Sequence, residues 1–147
     1  MTLSDIKNVL VLDERIATAG QPTEEQIIQI AKAGYEVVIN LALGDGDYAL
    51  ADEAGAVRKA GMAYIHIPVQ WERPTRADLE RFCDAMEARR RKKIFVHCAA
   101  NMRVSVFMAL YRILRLGWER ERAFVDVTRI WQPNETWAAF IEEMLEP

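Results

Sequence analysis

Apolar positions along the chain follow two alternating patterns. Short runs rich in β-branched residues have the length and composition of buried strands. Between them lie longer segments in which apolar residues recur every three or four positions, as they do on one face of a helix. Strands are predicted over residues 8–13, 36–43, 62–69 and 93–97, and helices over 48–60, 104–116, 119–130 and 134–145.

Two further helices are predicted from their capping signals. Thr23 is followed three residues later by Gln26, the spacing of a capping box, and Gly34 stands where a C-cap glycine would end the helix. Thr75 opens the other helix with a second such box. Its apolar stripe consists of Leu79, Phe82, Cys83 and Met86. This stripe assigns Cys83 to core packing.

Strands that alternate with helices predict an α/β fold. We expect a mainly parallel central sheet flanked by helices on both faces, in a single domain spanning residues 1–147. Segment 104–116 is apolar on nearly every side, which is typical of a central helix. Ligands of such sheets bind beyond the carboxyl ends of the strands. Cys98 follows one of these ends.

Composition and charge exclude several classes of protein. The net charge is −3, from 22 acidic and 19 basic residues, which argues against a general nucleic-acid binder. No segment approaches the roughly 20 apolar residues of a membrane span, so none is predicted. Two cysteines are too few for a disulfide framework, and we expect a reducing cytoplasm in which Cys98 stays free.

The segment around Cys98 has the organisation of an anion site. A buried strand stops at His97, a short loop follows, and a long helix begins near Val104. Successive backbone N–H groups and the helix N-terminus then point at one small space. The predicted phosphate-binding residues are Ala99, Ala100, Asn101, Met102 and Arg103.

This environment also favours a reactive thiol. A free cysteine has a pKa of about 8.5, and helix N-termini and nearby cations lower that value to roughly 3.5–7.5. We therefore expect Cys98 to be a thiolate nucleophile at neutral pH. Arg103 offers a planar fork of donors for two phosphate oxygens. Ser105 is expected to donate a hydrogen bond to Cys98, and His97 to orient the loop or tune the thiolate.

Neither a metal nor another cofactor is predicted. The sequence has two histidines, His66 and His97, and neither belongs to a metal-binding motif. His66 alternates with apolar residues in a predicted strand, which favours a packed or surface imidazole.

The motif from His97 to Arg103 resembles the signature of the protein tyrosine and dual-specificity phosphatase superfamily. That signature is His-Cys, five variable residues, Arg, then Ser or Thr. Upstream segments 18–22 (TAGQP), 38–41 (VINL) and 67–69 (IPV) resemble a bacterial branch related to beta-lactamase-hydrolase-like proteins. The resemblance implies a cysteine-phosphatase fold, a phosphorylated substrate, and a cofactor-free phosphomonoesterase acting through a phosphocysteine intermediate.

The sequence departs from this signature in the loop. Four residues separate Cys98 from Arg103 instead of five, and the usual glycines are missing. Asn101 is expected to substitute for a loop glycine because Asn tolerates left-handed backbone geometry. The usual Ser or Thr is displaced by one position to Ser105. We expect a variant loop that still binds phosphate, because Cys98 and Arg103 are both present.

The resemblance also implies a general acid on a mobile loop after segment 67–69. No Asp occurs at residues 70–74, so Glu72 is the first candidate, with Asp45 and Asp47 as alternatives. The resemblance further favours Asn40 as a residue that braces the Cys98 loop, although capping its own strand is the other interpretation.

Two other functions fit the same residues. A phosphate- or phosphoprotein-binding module with a degenerate loop would explain the short loop and the absent Asp. A rhodanese-like sulfurtransferase would also place a cysteine between a strand and a helix. The substrate stays open among phosphotyrosine, phosphoserine, a phosphoinositide and a small metabolite, and inorganic phosphate is a further possible ligand.

Overall fold

The computed structural model describes residues 3–147, which form five strands and six α-helices after a short 3-10 helix at Leu3–Asp5. The strands are β1 (Leu10–Val11), β2 (Ile16–Ala19), β3 (Val37–Asn40), β4 (Ala63–His66) and β5 (Ile94–His97). The helices are α1 (Glu24–Lys32), α2 (Glu53–Lys59), α3 (Arg76–Ala88), α4 (Met102–Leu114), α5 (Arg120–Thr128) and α6 (Glu135–Leu145).

The sheet has the order β1-β2-β5-β3-β4. Strands β2 to β5 are parallel, and β1 is antiparallel to β2. The last residues of the parallel strands lie in one row, because His97 is paired with Ala19 on one side and Asn40 on the other, and Asn40 is paired with His66. The predicted mainly parallel α/β fold is confirmed, and Cys98 follows the central strand of this row.

Side chains of β5 alternate between two cores, one on each face of the sheet. Ile94 and Val96 belong to the larger core, which is built with α3, α4, α5 and α6. Phe95 belongs to the smaller core, built with α1 and α2. Helix α4 is buried from Arg103 to Arg112, so the predicted central helix is confirmed. Cys83 is buried in the larger core, as its place on the apolar stripe predicts.

Three elements show the main differences from the predictions. Strand β2 was not predicted, because its four residues, IATA, carry a weak apolar signal although all four are buried between neighbours. The strand predicted at 8–13 contributes only two residues to the ladder. The helix predicted over 48–60 begins at Glu53, because Asp52 caps it by accepting a hydrogen bond from the backbone of Gly55.

The capping box at Thr23 is confirmed, with both of its reciprocal hydrogen bonds present. Gly34, with φ of 96°, follows the end of α1 in the left-handed conformation that favours glycine. Within residues 3–147, no helix combines the length and apolar character that a membrane span requires.

Candidate active site

The loop from Cys98 to Asn101 connects β5 to the N-terminus of α4. Cys98 is only 1% exposed, and its backbone N–H donates to the carbonyl of Ala19 at 3.2 Å. Asn101 is the N-cap of α4 and has a left-handed backbone (φ 67°, ψ 2°). The expectation that Asn101 takes this conformation in place of a loop glycine is therefore confirmed. Helix α4 directs the unpaired N–H groups of its first turn toward the loop.

The upstream segment 18–22 lies along this loop and makes backbone hydrogen bonds to it. The backbone N–H of Gln21 donates to the carbonyl of Ala99 at 3.0 Å, and Gly20 pairs with Ala100 in an isolated antiparallel bridge. A β-carbon on Gly20 would stand 2.6 Å from the carbonyl oxygen of Ala99. Glycine is required here because the two backbones approach too closely for a side chain.

Two asparagines add side-chain hydrogen bonds to the loop. Nδ2 of Asn101 donates to the carbonyl of Asn8 at 2.8 Å and to the hydroxyl of Thr18 at 3.0 Å. Nδ2 of Asn8 donates in turn to the carbonyl of Ala100 at 2.9 Å. The loop is thus fixed by side-chain hydrogen bonds in addition to its backbone contacts.

Arg103 lies in the first turn of α4 with a side chain that is nearly buried, at 5% residue exposure. Its Nη1 donates to the carbonyl of Val69 at 2.9 Å, and its Nη2 lies 3.5 Å from the hydroxyl of Tyr48. These contacts direct the guanidinium toward the segments that follow β3 and β4. A guanidinium carries five N–H donors, so this arrangement leaves donors for a ligand.

His97 and Cys98 project to opposite faces of the sheet. The thiol joins the larger core, whereas the His97 ring reaches the α1–α2 layer and is fully buried. There its Nε2 lies 2.6 Å from Oε2 of Glu53, and its Nδ1 lies 3.2 Å from the carbonyl oxygen of Cys98. The other carboxylate oxygen of Glu53 accepts from Nε2 of Gln21 at 2.7 Å.

Sequence reasoning missed Glu53. Its side chain is only 7% exposed, although Glu is rarely buried without a partner. Burial disfavours its ionisation, but the hydrogen bond and charge of His97, with smaller contributions from Gln21 and His66, outweigh burial and lower the pKa of this carboxyl. A signal was present in the sequence, because Glu53 lies one helical turn before the core residue Val57, on the buried face of α2.

Two supporting residues act differently from the prediction. The hydroxyl of Ser105 donates to the carbonyl of Met102 at 2.7 Å and accepts from Nε1 of Trp131 at 3.1 Å, so its one proton is directed away from Cys98. Asn40 caps the end of its own strand, since its Oδ1 accepts from the backbone of Ala42 at 2.9 Å. Asn40 therefore follows the strand-capping interpretation, and its bracing of the Cys98 loop stays a prediction.

The segment that carries Glu72 is anchored by its neighbour Trp71. The Trp71 ring packs against the rings of Trp131 and Trp137, with centroid-to-centroid distances of 5.3 and 5.9 Å. The backbone carbonyl of Trp71 accepts a hydrogen bond from Nε1 of Trp137 at 2.8 Å. Glu72 itself is exposed. Asp45 and Asp47 are also exposed, on the loop before α2. Packing fixes the backbone next to Glu72 without burying the carboxylate.

Cys83 and His66 lie in environments that fit the packing and surface roles expected of them. Burial raises the pKa of the Cys83 thiol to about 11, so it stays protonated at neutral pH. His66 is exposed, and its Nε2 lies 2.6 Å from the carbonyl of Ala42. Among residues 3–147, no cluster of three or more His, Cys, Asp or Glu side chains is arranged to hold a metal ion.

A strand–loop–helix with a cysteine at the strand end and an arginine in the first helical turn is the arrangement expected of the tyrosine and dual-specificity phosphatase class. Comparison with known proteins agrees. The family described as "DSP-PTPase phosphatase fused to NAD+ Kinase" matches residues 5–135. The chain belongs to this family of phosphatase domains.

One curated relative is the Beta-lactamase hydrolase-like protein of Xylella fastidiosa (strain Temecula1), which is 33% identical over 110 residues. The match covers 72% of this chain and 25% of the relative, so the chain spans about a quarter of that protein's length. The resemblance to the beta-lactamase-hydrolase-like branch is thereby confirmed.

Solved structures confirm the fold. The crystal structure of a Shewanella putrefaciens CN-32 protein described as "Putative phosphatase (DUF442)" superimposes with a TM-score of 0.86 at 31% identity, over 97% of this chain and 93% of that one. TpbA of P. aeruginosa, solved in complex with phosphotyrosine, gives a TM-score of 0.75 at 16% identity, over 96% of this chain and 85% of that one. The second likeness concerns the fold alone.

Proposed function

We propose that this domain is a phosphomonoesterase that acts through a phosphocysteine intermediate on Cys98. The observation that carries the proposal is the position of Cys98, which stands at the end of the central strand, directly before the N-terminus of α4, with Arg103 in the first turn of that helix. Backbone N–H groups and a guanidinium are then the groups nearest to a bound phosphate, and both favour negative charge.

In the first step, the Cys98 thiolate attacks phosphorus in line with the leaving oxygen. The S–P bond forms as the P–O bond to the leaving group breaks. The backbone of Ala99, Ala100, Asn101 and Met102, together with the Arg103 guanidinium, binds the three equatorial oxygens. Their hydrogen bonds to the phosphate oxygens become stronger as negative charge develops on those oxygens in the transition state.

The leaving oxygen takes a proton from a carboxylic acid, which we assign to Glu72. In the second step, water attacks phosphorus while the Glu72 carboxylate takes a proton from that water, and the S–P bond breaks to release inorganic phosphate and the Cys98 thiolate. A free thiol nucleophile suits a reducing compartment, and we place the protein in the cytoplasm on that ground. The reaction needs neither a metal nor another cofactor. The substrate is a phosphorylated protein or small molecule.

Hydrolysis of p-nitrophenyl phosphate by the purified protein tests the proposal. We expect turnover that vanadate inhibits, that Cys98→Ser abolishes, and that millimolar EDTA leaves unchanged. Cys83→Ser is the matched control, because this second thiol is buried on α3, and it is expected to retain activity. A strict metal requirement, or full activity in Cys98→Ser, would contradict the proposal.

A second candidate function is a phosphate-binding module without turnover. Two observations favour it. The Arg103 guanidinium already donates to the carbonyl of Val69. The loop from Cys98 to Arg103 is one residue shorter than in the family signature. Phosphate binding that Arg103→Ala removes, without measurable hydrolysis, would support this candidate instead.

A further inference from the structure

We infer that the groove between α1 and α2 is the surface through which two copies of this chain form a two-fold symmetric dimer. The residues that line the groove lie outside the candidate active site. The inference therefore goes beyond the proposed function and is tested by the oligomeric state, without any measurement of turnover.

The groove lies between two helices that run side by side in the same direction. Helix α1 follows β2 and helix α2 follows β3, and each returns from the carboxyl edge of the parallel strands to the opposite edge. The space between them has a volume of about 750 Å³. Four small residues line it, namely Ala31, Gly55, Ala56 and Ala60. Small side chains at a helix contact let the partner's backbone come close.

Ile28 gives the same surface a ridge that matches the groove. This large apolar side chain borders the groove and is 49% exposed. It lies four residues after Glu24 and four before Lys32, so the three side chains form one ridge along α1. A second copy, related by a two-fold axis near Ile28, places its own ridge against this groove. The two Ile28 side chains then lie beside each other and leave water.

The charges around the groove are complementary to a second copy of themselves. Glu24 and Asp52 lie at the end where both helices begin, and Lys32 and Lys59 lie where both helices finish. Within residues 3–147, none of these four side chains takes part in an ion pair. Each therefore keeps its charge available for a partner.

These charges determine the direction of the two-fold axis. An axis perpendicular to the helices packs α1 antiparallel to the α1 of the second copy, so that Glu24 faces the partner's Lys32 and Asp52 faces the partner's Lys59. The helix dipoles are then opposed, which is also favourable. An axis along the helices would instead place acidic ends together, which like-charge repulsion disfavours.

A second copy fits this surface better than an unrelated helix does. An unrelated helix would need a basic end, an apolar centre and an acidic end at matching intervals. The ridge of α1 already carries all three, in the order that a two-fold axis requires. Nine residues line the groove, fewer than the roughly 20–30 on each side of a standard interface. We therefore expect a dissociation constant in the micromolar range or weaker.

Sedimentation equilibrium from micromolar to millimolar concentration tests the inference. We expect the wild type to show a monomer–dimer equilibrium that weakens as the salt concentration rises. Glu24→Lys and Lys32→Glu each place like charges opposite each other twice in the dimer, so each is expected to raise the dissociation constant by about tenfold or more. Glu25→Lys is the matched control, since it makes the same charge change at an exposed neighbour outside the groove lining. It is expected to keep the wild-type constant.

Mixing the two charge variants tests the two-fold arrangement itself. In a pair made of one Glu24→Lys chain and one Lys32→Glu chain, all facing charges on α1 are again of opposite sign. We expect this mixture to form a heterodimer with nearly wild-type affinity, although each variant alone associates more weakly. The double variant E24K/K32E is expected to recover the dimer for the same reason.

A wild type that stays monomeric up to millimolar concentration would overturn the inference and leave the groove to a helix of another protein. A dimer that none of the charge variants weakens would overturn it too, because its interface would lie elsewhere. If the variants failed to fold, dilution of the wild type followed by amide NMR would still decide. Shifts in residues 24–32 and 52–60 would support the inference, and shifts confined to other segments would overturn it.

Discussion

Asn8 and Asn101 are joined by a direct hydrogen bond, and both have a left-handed backbone, with φ of 51° and 67°. They lie more than ninety positions apart in the chain, so this contact fixes the loop of the candidate active site to the segment that precedes the sheet. Asn8 adds the bond from its own side chain to Ala100. The shape of the loop is therefore set from outside α4 as well as by the helix.

Asn101→Ala is expected to destabilise the protein by about 2 kcal/mol. The substitution removes two hydrogen bonds, each worth about 1 kcal/mol, and places alanine in a strained left-handed conformation. It also removes the buried Asn101 side-chain oxygen, which lacks a partner among the described residues, and this gain offsets part of the loss. Asn101→Gly loses the same bonds without the strain, so we expect a smaller loss. Urea denaturation measures both, and a larger loss for the glycine variant would contradict this account.

Arg103→Lys is expected to lower kcat by at least about 10²-fold, the scale of losing one transition-state donor. Lysine keeps the charge but cannot bind two oxygens with a planar fork. Steady-state hydrolysis of p-nitrophenyl phosphate measures the effect. Tyr48→Phe is the control, since the Tyr48 contact to the guanidinium is long, at 3.5 Å. A wild-type kcat in Arg103→Lys would contradict the role of the Arg103 guanidinium in stabilising the transition state.

Glu72→Gln is expected to slow hydrolysis of alkyl phosphates by about 10²- to 10⁴-fold, the usual contribution of general acid catalysis. It is expected to affect p-nitrophenyl phosphate much less, because that leaving group needs little protonation. Asp45→Asn and Asp47→Asn test the two alternative acids in the same assay. If either Asp variant shows the substrate-dependent loss and Glu72→Gln does not, the assignment to Glu72 is wrong.

The lowered pKa of Glu53 predicts acid sensitivity. A group whose pKa is lower in the folded state contributes stability above its unfolded value, and that contribution is lost as the pH falls through the folded value. Unfolding free energy is therefore expected to decrease below about pH 4.5 in the wild type, and less steeply in Glu53→Gln. The exposed pair of Glu142 with Arg120 gives a control, since Glu142→Gln removes a solvent-screened contact. Identical slopes in wild type and Glu53→Gln would contradict the prediction.

Local sequence patterns predicted the elements that depend on residues close to one another in the chain. The β-branched run before Cys98 and the apolar helix after it placed the strand–loop–helix correctly. The capping box at Thr23 did the same for α1. Strand β2 was not predicted, because a run of mostly small residues has no clear apolar pattern and is buried only by the strands that flank it.

The contacts of the site required long-range packing that local patterns do not contain. The pair of Glu53 with His97 joins α2 to β5 across 44 positions. Ser105 and Asn40 were expected to act on Cys98 and its loop, but their hydrogen-bond partners include backbone groups two or three positions away. A polar side chain near a site often satisfies its own turn first.

Trapping the covalent intermediate on Cys98 tests the central claim most directly. The wild type is mixed with p-nitrophenyl phosphate, quenched within one turnover, digested and analysed by mass spectrometry. We expect one phosphate on the peptide that contains Cys98, and none on this peptide from Cys98→Ser. Turnover by a wild type that never carries phosphate on Cys98 would contradict the phosphocysteine mechanism.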